Sequence, residues 1–189
     1  MKKLKNNFIV KVVVSLFIIS VIIGLLTFLF YRPDLSLYFD EFIKEVSNSN
    51  QNVFLLNLGV LSLIFMASII IIGVPVAYLY IFYEGFSIGF TIGVFVLTKG
   101  IKGLLFYLIF LFISKLIYIM IVLYFIIVST RFSKNLIYYL IKKKRDDLFN
   151  SIILHFYRFL IVIIISLINS TLIYFFANKV LVLVLNLIR

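Results

Sequence analysis

Apolar residues in this chain come in long, nearly unbroken runs rather than in the two-residue alternation of a half-buried strand. Runs of that length predict helices in hydrocarbon, where about 20 apolar residues cover the bilayer core. Residues 12–30 form the first, behind a basic start and without the small-residue pattern of a cleavage site, so they read as a retained anchor. Residues 31–52 follow as an external segment carrying Asp34, Asp40, Glu41 and Glu45 against Arg32 and Lys44. Within it Leu35, Tyr38, Phe39, Phe42, Ile43 and Val46 recur at helical spacing, which predicts a short amphipathic helix on the membrane surface, on a partner, or as a cap on its own bundle.

Residues 53–97 contain a single charge, Glu84, and a single proline, Pro75, and must hold two crossings. One arrangement turns at "GVP", Gly73 to Pro75, giving spans 53–72 and 74–97. The other keeps residues 53–83 as one proline-kinked helix of about 46 Å, breaks at "EG", and returns through a short helix of roughly 18 Å. Either way the chain reaches the same side at "TKGIKG", crosses back through 104–128, passes a basic cytoplasmic loop at 129–151 and crosses again at 152–176. The expected fold class is all-α, a polytopic membrane helix bundle of about five spans with one kinked or broken Gly-rich helix pair. It forms one integral membrane domain over residues 1–189.

Composition supports this solvent. Of 189 residues, 65% are hydrophobic and 13% charged, against roughly 25% charged in a soluble domain. No cysteine is present, which excludes disulfides and thiolate chemistry, and the single histidine, His155, excludes a multi-histidine metal site. The net charge of +11 is concentrated at Lys2, Lys3, Lys5 and Lys11 and again at Arg131, Lys134 and residues 142–145. Short basic segments flanking spans mark cytoplasmic sides and put the N-terminus in the cytoplasm. They do not form a nucleic-acid groove, so the expected contacts are with membrane lipids.

The stretch "YEGFSIGFTIG" carries the most unusual pattern. On a helix Gly85, Gly89 and Gly93 share one face, a small-xxx-small stripe that admits a neighbouring backbone, while Glu84, Ser87, Thr91 and Thr98 share the other. A carboxylate near the bilayer centre costs on the order of 3 kcal/mol and calls for a partner. In the first arrangement Lys115 on the next span is the expected one, as an intramembrane ion pair, with Tyr107, Ser114 and Tyr118 as a polar stripe beside it. In the second Glu84 marks the cytoplasmic rim where the long helix breaks, and Lys115 must find another partner. His155 and Arg158 read as interface anchors, and Ser166, Asn169 and Ser170 as interhelical hydrogen-bonding groups. Asp146 and Asp147, beside the basic run, should be solvated. No paired carboxylates, activated nucleophile or phosphate-binding loop is present, so no catalytic, cofactor or metal residues are expected.

The order Gly73-x-Pro75, then Glu84-Gly85-Phe86 with Gly89, then the Gly100 and Gly103 turn resembles the core of the stage II sporulation protein M family of bacterial integral membrane proteins. One departure is Ser114-Lys115, where members often carry a proline. The resemblance implies a multi-pass protein of the bacterial cell membrane that is not an enzyme. It further implies a part in forespore engulfment, as a scaffold that assembles or localises two peptidoglycan-degrading partners, the D and P proteins of the same machinery. An alternative of another class is a transporter or channel component whose polar path is lined by Glu84, Ser87, Thr91 and Lys115. The two differ in whether that stripe faces water or is closed by packing. Oligomeric state is not encoded in any of these patterns.

Overall fold

The computed structural model describes residues 2–31, 53–70, 73–111, 115–143 and 145–188. These form α1 (Lys2–Tyr31), α2 (Val53–Ile69), α3 (Gly73–Leu111), α4 (Ile117–Ile141) and α5 (Arg145–Ile188), with no strand among the described residues. Phe8–Phe30, Val74–Leu111, Ile117–Ile141 and Asp146–Ile173 are long and apolar enough to cross a membrane, and Phe54–Ile69 is a shorter apolar helix. The molecule is an all-α, polytopic membrane bundle. The external segment expected at 31–52 lies almost wholly outside the described residues.

Two reversals decide between the arrangements left open for residues 53–97. The first falls after Ile69, so that Gly73 opens α3 and Pro75 sits in its first turn. There a missing N–H costs nothing, because first-turn donors have no intrahelical acceptor. Gly73 and Pro75 therefore start a helix rather than kink a continuous one. The second reversal is Gly100, whose φ of 61° and ψ of −141° leave helical space inside α3. Phe95 stacks on Phe106 and Tyr107 with ring centroids 5.6 and 5.2 Å apart, whereas a straight helix would hold those residues about 16–18 Å apart. The chain thus climbs through residues 73–99, folds at Gly100, and descends through 101–111 into α4.

The stretch expected as a basic loop at 129–151 is helical on both sides of a tight turn. α4 continues to Ile141, Lys143 takes a positive φ of 52°, and α5 begins at Arg145. Phe132, Ser133 and Leu136 explain the extension of α4, because all three are buried against the bundle. Asp146 and Asp147 occupy the first turn of α5, where a negative charge favours the helix dipole. α1 runs parallel to the rising limb of α3, since Phe17 and Ser20 meet Gly85 while Phe28 meets Gly93. The main core gathers Leu61, Phe65, Ile81, Phe125, Phe159 and Val162, and a second cluster holds Ile88, Phe95, Phe106, Tyr107 and Ile119.

Candidate functional site at the two faces of α3

The glycine face of α3 is a contact surface for α1. A Cβ on Gly85 would overlap the Ser20 side chain and lie 2.9 Å from the Phe17 carbonyl oxygen. One on Gly89 would run into the Val21 backbone, and one on Gly93 into the Phe28 ring. α1 answers in kind: a Cβ on Gly24 would collide with the Phe86 backbone. Ser20, fully buried, turns its hydroxyl onto the Phe17 carbonyl at 2.7 Å, so close approach leaves no loose polar group. Ser20 and Gly24 are four apart, the same small-xxx-small spacing as on α3, and that signal in the sequence marks the partner helix. In lipid, where no hydrophobic effect draws helices together, this proximity gains dispersion along the whole interface.

The polar face of α3 points to the descending limb. Tyr80 donates its hydroxyl to Glu84 Oε1 at 2.8 Å, and the Tyr118 hydroxyl of α4 lies 3.3 Å from that of Tyr80. Two turns further on, Thr91 donates to the Ser87 carbonyl at 2.8 Å. Tyr107 of the descending limb, only 1% exposed, faces the Thr91 side chain. Thr98 likewise turns back on the carbonyl of Val94 at 2.8 Å. Hydroxyl back-bonding of this kind hides polar groups inside the helix that carries them.

Glu84 is thereby placed near the middle of the rising limb, about 16 Å from its start at Gly73 and about 22 Å from Lys99. Lys115 lies one turn before Tyr118 in a π-helical turn at 115–116, and both Glu84 and Lys115 are half-buried. No ion pair joins the two among the described residues. The hydrogen bond that Glu84 accepts comes from Tyr80, four residues earlier on its own helix face, and not from the cation across the groove.

A second polar cluster joins α2, α4 and α5. His155, 1% exposed, lies face to face with Phe132 at 4.0 Å between centroids and also stacks near Phe65 and Phe125. Its Nε2 is 2.8 Å from Ser68 Oγ. Ser68 gives its own hydrogen to the Phe65 carbonyl at 2.7 Å, so Nε2–H of His155 must be the donor to Ser68. Ser133 of α4 then donates to the Ser68 carbonyl at 2.7 Å. That carbonyl belongs to the last turn of α2, where no intrahelical N–H remains to satisfy it. Three helices are clasped at the end of the shortest one. His155 is therefore a core group and not an interface anchor. Ser166 and Asn169 are buried on the same helix face as His155, and Ser170 bonds back to the Ser166 carbonyl at 2.9 Å.

Among the described residues no group of three or more His, Cys, Asp or Glu side chains is placed to hold a metal ion. Fold and contacts define a polytopic membrane helix bundle. The chain belongs to the stage II sporulation protein M family, whose profile matches residues 13–176. Neither the curated proteins nor the solved structures contain a match.

Proposed function

We propose that this protein is a non-enzymatic membrane scaffold that assembles or localises peptidoglycan-remodelling proteins during forespore engulfment. Family membership supports a sporulation-related membrane protein. The observation that carries the finer reading is the double use of α3, with its glycine face closed by α1 and its polar face engaged by Tyr107 and Tyr118. A conduit needs polar groups turned towards water along a continuous line. Here the threonine hydroxyls are spent on their own backbone and the Glu84 carboxylate takes a tyrosine hydroxyl. What remains for partners is the outer surface of the bundle and the segments at its ends, and the partners proposed are the D and P hydrolases of the engulfment machinery.

Affinity purification of the full chain from sporulating and from vegetative cells tests the reading. Peptidoglycan hydrolases should be recovered with it, and only from sporulating cells. Their absence from both preparations would remove the scaffold role.

A further inference from the structure

The hairpin made by the end of α4 and the start of α5 reaches past its neighbours. Ser133 and His155 meet the C-terminal turn of α2 through Ser68, so residues 134–154 lie beyond the level at which α2 stops. That projection is about 8–10 residues in each arm, or about 12–15 Å. The hairpin is basic: Lys142 and Lys143 are exposed at its tip, with Lys144 and Arg145 adjoining them in sequence, and Lys134 is exposed at its base, about 12 Å of helix nearer the bundle. Set against Asp146 and Asp147, the turn keeps an excess of positive charge.

The same hairpin is apolar on its outside. Ile141 is 75% exposed and Phe149 64% exposed, with Ile137, Tyr138 and Leu140 also open. A surface of this kind in water would demand a protein cover, but its continuation indicates another solvent. From Phe149 the exposed stripe runs on through Ile153, Phe156, Leu160 and Ile164 at helical spacing, straight into the membrane-spanning part of α5. The span Asp146–Ile173 has 28 residues, about 42 Å of helix, which matches the roughly 40–45 Å of a bilayer with its headgroups. Lipid therefore covers the stripe up to Phe149, and Lys142 and Lys143 fall at the depth of the phosphates, with Lys134 deeper and its long side chain directed up to that level. Tyr138 belongs to the aromatic belt of that boundary. The Lys142 ammonium lies 6.0 Å from its ring centroid, which holds the charge at the same level.

We propose that the α4–α5 hairpin tip is a binding site for anionic phospholipid. Lys142 and Lys143 hold lipid phosphates and Lys134 extends towards them from below, while Ile137, Tyr138, Ile141 and Phe149 lie among the glycerol and upper acyl groups. This inference is independent of the scaffold role, because it concerns what anchors the basic end of the bundle and not what the bundle assembles.

Because the chain has no cysteine, one probe can be placed cleanly. Ile141→Cys carrying an environment-sensitive fluorophore, in the full chain reconstituted into phosphatidylcholine vesicles with or without phosphatidylglycerol, reports the depth of the tip. A nitroxide on the upper acyl chain should quench it several-fold more than aqueous iodide does. In parallel, phosphatidylglycerol should raise the melting temperature of the unlabelled protein, and K134Q/K142Q/K143Q should lose that rise. Efficient iodide quenching in both kinds of vesicle would overturn the proposal and make the tip a docking surface for an acidic protein segment. An equal phosphatidylglycerol effect on the triple variant would overturn the assignment of the lysines.

Discussion

A methyl group added to Gly89 meets the Val21 backbone of α1, whereas one added to Gly59 meets nothing within 4 Å. The two positions separate a packing role from mere helix propensity. Gly89→Ala should destabilise the bundle by about 1–3 kcal/mol, as overpacking does. Gly59→Ala should be neutral or stabilise by up to about 1 kcal/mol through the lower cost of ordering alanine. Thermal melting of both variants in lipid vesicles checks the pair. Ser133→Ala should cost about 1–3 kcal/mol, because it strips the Ser68 carbonyl of its donor in a buried place. His155→Phe keeps a ring in the stack with Phe132 but leaves Ser68 Oγ without its donor, so it should be destabilising also, and less so than His155→Ala. The glycine stripe was legible in the sequence because its spacing lies on one helix. The Ser68, Ser133 and His155 clasp was not, since its members come from three helices and only tertiary placement unites them. For Glu84 charge points to Lys115, whereas the carboxylate accepts the hydroxyl of Tyr80, one turn earlier on the same face.

At the scale of elements, Gly100 is the pivot. Its φ of 61° with ψ of −141° lies in a region open almost solely to glycine. Gly100→Ala should therefore cost about 1–3 kcal/mol although a Cβ there would meet no neighbour. Proximity between the limbs reads the effect directly. A cross-link between cysteines placed at Thr91 and Tyr107 should form in an otherwise unaltered chain and weaken when Gly100 is changed. The turn at "TKGIKG" was legible from its glycines and lysines, and so was the reversal at "GVP" as one of two arrangements. The helical character of residues 129–151 was not. A run of lysines reads as a solvated loop, and what makes this stretch helical is burial of Phe132, Ser133 and Leu136 against other helices, which composition does not reveal.

For the molecule as a whole, the length and hydropathy of the runs were enough to give an all-α membrane bundle, and the order of glycines was enough to suggest the family whose profile matches residues 13–176. Which faces the bundle keeps for itself emerged only from packing. α3 is held on one side by α1 and engaged on the other by the limb that descends from Gly100, and that double engagement is what the scaffold reading rests on. The most direct measurement is cysteine accessibility at Ser87 and Thr91, placed singly in the cysteine-free chain and probed from both faces of the membrane. The closed bundle predicts that a charged, membrane-impermeant thiol reagent leaves both unmodified, while Lys142→Cys at the exposed turn reacts readily. Rapid modification of both positions from the aqueous phase would mean that the polar face of α3 lines a water-filled path, and it would contradict the closed bundle.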